Sequence, residues 1–266
     1  MNYGIALGSG GIRGMAHIAL LEYLEEKYDE KPTAISGCSA GSIIGALYAL
    51  EPNSKLIMKK FNYLISHSSK EILFIKKNLD NKVTGFAKLL SSPGILNNDL
   101  LFKLLKSLFY KKKFSDCKIP FGVVTVDLES ENIEEITEGY ILDAVMASSN
   151  VPAAFTPKLL GGMTLVDGAV LEEVPVGLCK KLGAKYIIAS HIPQSNNKFK
   201  DGLEYINYIS SISDEYIIEN TLKLADEVYI FDSQYEWYEF DKYKEIYYEA
   251  KKKLEKRKLG EINGEN

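Results

Sequence analysis

The sequence is poor in the side chains that most often bind metals or form disulfides. It contains three cysteines and three histidines in 266 residues, and the cysteines lie far apart without CxxC spacing. No usual zinc-site spacing can be assembled from these residues. An odd number of widely separated cysteines is typical of free thiols in a reducing compartment, so the sequence predicts neither a metal site nor a disulfide framework.

Long apolar segments and a large net charge are also absent. Without a run of about 18 apolar residues, no part of the sequence is expected to span a bilayer, and the N-terminus lacks the basic segment of a signal peptide. We therefore expect a cytoplasmic protein. A formal net charge of −4 gives no electrostatic reason to expect nucleic acid as a partner. Hydrophobic residues at 46% and charged residues at 26% predict a chain that buries a core.

Two segments within the first fifty residues repeat the order strand, glycine turn, helix. The first strand, Tyr3–Leu7, runs into a glycine turn and a helix with apolar residues on one side. The second strand, 33–36, is followed by a turn at 37–41 and an apolar helix at 42–50. This alternation predicts an α/β fold with a parallel sheet and helices on its faces.

The same alternation returns in the second half of the chain. Strands are predicted at 121–127, 164–166, 186–190 and 228–231, and helices at 100–110, 141–148 and 239–258. Between the two regions lies a lysine- and asparagine-rich stretch with helical periodicity. We predict one domain over residues 1–259 with a helical insert at about 54–114, followed by a frayed tail at 260–266.

Gly37, Ser39 and Gly41 form a G-x-S-x-G pattern between a predicted strand and a predicted helix. A serine on such a sharp turn projects its hydroxyl from the edge of the sheet, and glycines avoid collisions there. The following helix N-terminus adds N–H groups and a partial positive charge. These features make Ser39 a candidate nucleophile. A small-residue turn without chemistry, or a thiol enzyme that uses Cys38, remain alternatives.

The glycine turn at 8–14 contains Arg13, one of only two arginines among 32 basic residues. An arginine placed inside a glycine turn suggests that the planar guanidinium fixes the loop, and the glycines can aim N–H groups at negative charge. The segment also mimics a dinucleotide-binding fingerprint. In either register, however, that pattern misses one glycine, and it leaves Ser39 unexplained.

Ser39 needs a partner that accepts its proton, and the sequence offers few candidates. His17 lies in a predicted helix, where a structural role is expected, and His67 lies in the polar insert, where it is expected to be solvated. His191 follows Asp167 in the chain, so a Ser-Asp-His triad stays open. In the competing arrangement Asp167 contacts Ser39 directly, which requires surroundings that raise its basicity.

Three motifs taken in order resemble the patatin-like phospholipases, with the greatest likeness to their bacterial cytosolic branch. They are Gly10-Gly11-x-Arg13-Gly14, Gly37-x-Ser39-x-Gly41 and Asp167-Gly168-Ala169. The resemblance extends over 147–155 ahead of the aspartate and 174–189 after it, and it is weakest at 54–92. It departs at Ser9, where many members carry a glycine.

The resemblance implies a three-layer α/β/α fold with a mainly parallel central sheet, and hydrolysis of lipid acyl esters without metal or cofactor. It implies Ser39 as nucleophile, Asp167 as base, and an oxyanion hole at Gly10 and Gly11 with Arg13 organising the loop. An acyltransferase with the same site, or a non-catalytic lipid-binding or regulatory protein, remain alternatives. The sequence does not indicate an oligomeric state.

A lipid substrate raises the question of contact with a membrane surface. The apolar stripe at 100–109, followed by three lysines at 111–113, has the character of an interfacial helix, and 72–75 is a second candidate. For both segments, a helix that covers the core is the favoured alternative. Transient membrane contact is therefore one of two expectations for the insert.

Overall fold

The computed structural model describes residues 2–193 and 202–263. The strands are β1 (Tyr3–Leu7), β2 (Ala34–Gly37), β3 (Gly94–Leu96), β4 (Phe121–Asp127), β5 (Asn132–Ile136), β6 (Ala153–Phe155), β7 (Lys158–Leu160), β8 (Met163–Asp167), β9 (Tyr186–His191) and β10 (Glu227–Ile230). The helices are α1 (Met15–Lys27), α2 (Ala40–Leu50), α3 (Ser54–His67), α4 (Ser69–Asp80), α5 (Lys82–Leu89), α6 (Asn98–Phe109), α7 (Ile141–Ser148), α8 (Val176–Lys181), α9 (Gly202–Leu222) and α10 (Tyr243–Asn263).

The central sheet has the strand order β10-β9-β1-β2-β4-β8-β7, and β5 pairs with the outer edge of β4. The five strands from β10 to β4 are parallel to their neighbours, whereas β8, β7 and β5 are antiparallel. Every residue of β1 and β4 is buried, as expected for strands that are covered on both faces. The predicted mainly parallel sheet is confirmed.

Side chains of β1 alternate between two apolar layers. Ile5 and Leu7 pack into the large core that contains the buried faces of α1, α2 and α10. Ala6 packs on the opposite face with Cys179 of α8 and with Ile187 of β9. This alternation produces the three-layer α/β/α arrangement that the sequence predicts.

One edge of β4 holds two strands end to end. β5 pairs with residues 123–127 of β4 along one edge. β2 pairs with residues 121–123 of β4 and β8 pairs with residues 125–127, so both lie along the opposite edge. β2 is parallel to β4 and β8 is antiparallel, so their C-terminal ends point toward each other. The residues that follow β2 and those that end β8 therefore meet, although they are more than a hundred positions apart in sequence.

The segment between α2 and β4 contains four helices, as predicted for the insert. Within α6, Leu101, Leu104, Leu105 and Phe109 are buried against the core, so its apolar stripe faces inward. The burial of these side chains favours the core-covering alternative for this stripe. Over the described residues, no helix combines the length and apolar composition required to cross a bilayer.

Several element boundaries differ from the predicted ones. α10 continues to Asn263, past the predicted end at 258, and residues 264–266 lie outside the described part. β5, β7, α8 and α9 have no counterpart among the elements predicted from the sequence. The division into one domain, an insert and a tail stays a prediction.

Candidate active site

Ser39 occupies the turn between β2 and α2 in a conformation that non-glycine residues rarely adopt. Its φ is 50° and its ψ is −118°. Its N–H donates to the Ser148 hydroxyl at 2.8 Å, and the Ser42 hydroxyl donates to its carbonyl at 2.6 Å. A Cβ on Gly41 would collide with the carbonyl oxygen of Leu7. The turn is therefore held in a strained form by close backbone packing and two serine hydroxyls.

Asp167 ends β8 and lies at the point where β2 and β8 meet. Its side chain is buried, and its Oδ1 accepts from the Ala169 N–H at 2.9 Å and from the Cys38 thiol at 3.5 Å. Burial raises the pKa of Asp167 to about 6, against the opposing effect of hydrogen bonds from Ala169, Ser39 and Cys38. A carboxylate with that pKa is a stronger base than an ordinary aspartate and is still ionised at neutral pH.

Cys38, the neighbour of Ser39, is fully buried beside the same carboxylate. Burial and the negative charge of Asp167 raise the pKa of the Cys38 thiol well above its ordinary value. Only a thiolate is a competent sulfur nucleophile, and a buried neutral thiol is inert. The environment of Cys38 thus disfavours the thiol-enzyme alternative.

His17 has the structural role expected from its helix. Its Nε2 lies 2.9 Å from the Gly8 carbonyl and its Nδ1 lies 2.8 Å from the Ser190 hydroxyl. A carbonyl only accepts, so Nε2 carries the proton and Nδ1 accepts from Ser190. Burial lowers the pKa of His17 to about 4, and the neutral ring ties the glycine loop to β9.

The other two histidines make their contacts with residues other than Ser39. His67 is exposed and stacks on Tyr63, with ring centroids 3.9 Å apart. Nδ1 of His191 lies 3.0 Å from Glu173 and its Nε2 lies 3.8 Å from Glu215. Over residues 2–193 and 202–263, these ring contacts include neither Ser39 nor Asp167. The Ser-Asp-His arrangement is not assembled in this structure.

The glycine loop packs against the turn that carries Ser39, where the Gly41 N–H donates to the Gly8 carbonyl at 3.1 Å. Gly10 and Gly11 have φ values of 148° and 58°, which glycine adopts without strain. Within the described residues, the N–H groups of Gly10, Gly11 and Ala40 have no backbone acceptor. Ala40 follows Ser39 at the first position of α2, and in enzymes that use a G-x-S-x-G turn the residue at this position donates its N–H to the oxyanion. The sequence prediction named Gly10 and Gly11 but not Ala40.

Arg13 braces this loop with its side chain. Its Nε donates to the Gly10 carbonyl at 3.2 Å and its Nη1 donates to the Pro193 carbonyl at 3.0 Å. Burial lowers the pKa of Arg13, an effect opposed by Glu173 and Glu236. Since both contacts are to carbonyl oxygens, the guanidinium fits the organiser role better than that of a direct oxyanion donor.

Arg13→Lys is expected to lower kcat by roughly 10²–10³-fold, the typical cost of a misplaced oxyanion donor, with KM nearly unchanged. A lysine supplies a point charge but cannot bridge two carbonyls with one planar group. Steady-state kinetics on a soluble ester, together with the melting temperature, measure the effect. A kcat near that of the wild type would show that the bridging geometry is dispensable, and a large loss of melting temperature would make Arg13 structural.

An apolar cavity opens beside Ser39. About 920 Å³ of space in and around it is free of protein atoms, and this figure includes the open solvent at its mouth. Gly11, Ser39 and Ala40 lie at its polar end. Its apolar wall comes from α1, α2, the insert, β6 and the segment after β10. It includes Met15, Ile43, Ile44, Phe61, Leu64, Ile65, Ile72, Ile75, Leu101, Leu104, Leu105, Phe155, Trp237 and Phe240.

The sequence profile that describes Patatin-like phospholipase matches residues 5–180, which include both Ser39 and Asp167. The chain belongs to the patatin-like phospholipase family. The family predicted from the three motifs is confirmed.

Curated relatives match most of this chain but only a small part of their own length. Lysophospholipase NTE1 of Scheffersomyces stipitis is 26% identical over 82% of this chain and 13% of its own. Patatin-like phospholipase domain-containing protein 6 of Homo sapiens is 26% identical over 86% of this chain and 16% of its own. A putative patatin-like phospholipase domain-containing protein, M110.7 of Caenorhabditis elegans, is 27% identical over 79% of this chain and 18% of its own length. The chain thus spans less than a fifth of these relatives.

Two solved bacterial structures align over nearly the whole chain. VipD from Legionella pneumophila aligns with a TM-score of 0.49 and 14% identity, over 96% of this chain and 67% of its own. ExoU of Pseudomonas aeruginosa, in its complex with SpcU, aligns with a TM-score of 0.46 and 15% identity, over 96% of this chain and 50% of the ExoU chain. The fold assignment rests on the sheet of this chain and on the family match, not on these alignments.

Proposed function

We propose that this patatin-like chain is a serine lipid acyl hydrolase, of phospholipase A or lysophospholipase type, that uses a Ser39–Asp167 dyad. One observation supports it above the others. Ser39 lies between a buried carboxylate of raised pKa and a set of N–H groups without backbone acceptors, at the polar end of an apolar cavity. These are the three requirements for acyl transfer to a serine.

In the first half of the reaction, Asp167 accepts the proton of the Ser39 hydroxyl as the oxygen attacks the ester carbonyl. The N–H groups of Gly10, Gly11 and Ala40 are placed to stabilise the oxyanion that forms. Collapse of the intermediate breaks the bond to the leaving alcohol, which takes the proton from Asp167, and leaves acyl-Ser39. In the second half, water gives its proton to Asp167 and attacks the acyl carbonyl, and Ser39 regains a proton as the fatty acid leaves.

The composition of the cavity supports a long-chain acyl group as the part of the substrate that it binds. Its wall is built from leucine, isoleucine and aromatic side chains, and the polar groups are concentrated next to Ser39. Burying an aliphatic chain there gains roughly 0.8 kcal/mol per CH₂ group. The phospholipase name of the family and the lysophospholipase name of the NTE1 relatives support the same class of substrate.

Reaction with a fluorophosphonate probe tests the nucleophile directly. Attack by Ser39 on phosphorus with loss of fluoride should add one probe to the peptide that contains Ser39, as measured by mass spectrometry. Cys38→Ser is the matched control, and it should still be labelled at Ser39. Labelling of Cys38 in the wild-type protein would contradict the serine mechanism.

Product analysis on a panel of phospholipids, lysophospholipids and acylglycerols tests the reaction. We expect a free fatty acid from at least one long-chain member of the panel. Transfer of the acyl group to an added alcohol in preference to water would make the site an acyltransferase. Absence of turnover on all members, and on activated esters, would leave a non-catalytic lipid-binding protein.

A further inference from the structure

The helix α4 has two faces of opposite environment. Ile75 is buried, and together with Ile72 it lines the cavity beside Ser39. Leu73 and Phe74, between them in sequence, are 67% and 53% exposed. Lys70 and Lys77 are also exposed and lie one turn before and one turn after this apolar pair, on the same face of the helix.

The next helix, α5, presents apolar side chains to solvent on its free side. Val83 and Phe86 of the helix and Leu90, which follows its last residue, recur at a spacing of three and four residues and are 81%, 54% and 76% exposed. Gly85 is the buried residue of α5 and packs against Ile95. Leu73 of α4 and Val83 of α5 border the same shallow groove, so the two exposed apolar faces are neighbours. We call these two faces the α4–α5 surface.

The charge of this segment is opposite to that of the chain. Residues 69–90 contain five lysines and two acidic residues, a formal charge of +3 in a chain whose net charge is −4. An apolar face flanked by lysines is the composition of helices that lie in the interface of a bilayer, where lysines bind anionic headgroups.

A second exposed apolar face, on α9, has the wrong charge for the same role. Ile206, Ile209 and Ile212 are 61%, 49% and 54% exposed. All charged residues of α9 are acidic, including Asp214 and Glu215. An anionic membrane would repel this face and attract the α4–α5 surface, so charge separates the two.

We propose that the α4–α5 surface docks on the anionic leaflet of a phospholipid bilayer. The inference rests on the proposed function, because it places the lipid substrate next to the cavity that would accept its acyl chain. α4 then lies between the two, with Leu73 and Phe74 in the interface and Ile72 and Ile75 in the wall of the cavity. A lipid that leaves the leaflet has only the thickness of this helix to pass before it meets the apolar wall.

Vesicle binding tests the proposal independently of catalysis. The Ser39→Ala variant of the whole 266-residue chain, which should not consume lipid, is floated with vesicles of phosphatidylcholine alone or of phosphatidylcholine mixed with phosphatidylglycerol. We expect binding to the mixed vesicles and little to the neutral ones, with a steep decrease as salt is raised. Lys70→Gln combined with Lys77→Gln should weaken binding by roughly 25-fold, since each lysine near an anionic surface contributes about fivefold. Phe86→Ser combined with Leu90→Ser should also weaken it.

Matched controls come from exposed residues outside the surface. Leu224 is 66% exposed, so Leu224→Ser removes a comparable apolar group, and Lys252→Gln removes a comparable charge. Both should bind vesicles as Ser39→Ala does, and Ile209→Ser tests the face on α9. Equal binding to neutral and anionic vesicles, loss of binding only in the α9 variant, or unchanged binding in both α4–α5 double variants would each overturn the proposal.

Turnover of a soluble short-chain ester separates this proposal from the catalytic one. With Ser39 present, the α4–α5 double variants should hydrolyse such an ester at the wild-type rate, because none of the four residues lines the cavity. Normal ester turnover with unaltered vesicle binding would reject the docking surface alone. Vesicle binding that depends on the surface, in a protein without ester turnover, would reject the catalytic proposal alone.

Discussion

Replacement of Ser39 by alanine is expected to lower turnover of a soluble ester by roughly 10⁴-fold or more, to the level that binding and the oxyanion donors support without a nucleophile. The fold should persist, because alanine keeps the Cβ and the Ser39 N–H still donates to Ser148. Steady-state kinetics on a purified variant, with its melting temperature as the control, measure both effects. Residual activity of a few per cent in a fully folded variant would contradict the serine mechanism.

Ser39→Gly provides a matched comparison for the strain at this turn. A non-glycine residue in a sparsely populated backbone region costs of order 1–3 kcal/mol, and glycine loses roughly 0.5–1 kcal/mol more conformational entropy on folding than alanine. Because Ser39 has a φ of 50° and a ψ of −118°, the glycine variant should be more stable than the alanine variant. Both should be inactive. A glycine variant that unfolds more easily would mean that this turn stores no strain.

The buried strands of the sheet could be predicted because their mostly apolar sequences match their apolar surroundings. Tyr3–Leu7 contains no charged residue and is mostly apolar, and in Phe121–Asp127 only Thr125 and the terminal Asp127 are polar. Every residue of both strands is buried. β5 carries no such signal. Its residues Asn132–Ile136 are exposed or half-buried and include two glutamates, and it is a strand because it follows β4 through a tight turn and pairs along its free edge. That contact depends on the position of β4, which composition does not encode.

Ser39 and Asp167 could be identified as candidates because each lies in a short local pattern with its own strand. The two patterns alone do not show that these residues meet, and only the family resemblance implied it. In the structure their proximity follows from two strands sharing one edge of β4. The contacts that hold the glycine loop could not be predicted from the sequence either. Ser9 and Ile12 donate to the backbone carbonyls of Glu173 and Trp237, and a carbonyl is present at every position whatever its side chain.

Asp167→Asn is expected to reduce kcat by on the order of 10³-fold, because loss of a general base typically costs 10²–10⁴-fold. For the wild-type enzyme, kcat/KM should fall as pH falls through about 6, where the buried carboxyl of Asp167 becomes protonated and can no longer accept the Ser39 proton. The pH dependence of kcat/KM on a soluble ester measures this limb. His191→Ala is the control, and it should cost little because the ring contacts of His191 are with Glu173 and Glu215. A histidine variant as inactive as the aspartate variant would require a triad.

The same substitution is expected to increase stability at neutral pH. A rise in the pKa of Asp167 from 3.8 to about 6 means that the folded state carries the ionised carboxylate at a cost of roughly 3 kcal/mol relative to the unfolded chain. The cost is absent below the unfolded pKa, grows as pH rises, and is complete above about 6. Asparagine removes the charge, and its side-chain oxygen can still accept from the Ala169 N–H. The variant should therefore melt above the wild type at pH 8, with the difference vanishing below about pH 4. An inactive variant that is also less stable at pH 8 would instead make the carboxylate a structural group, whereas lost turnover with gained stability is what a buried base predicts.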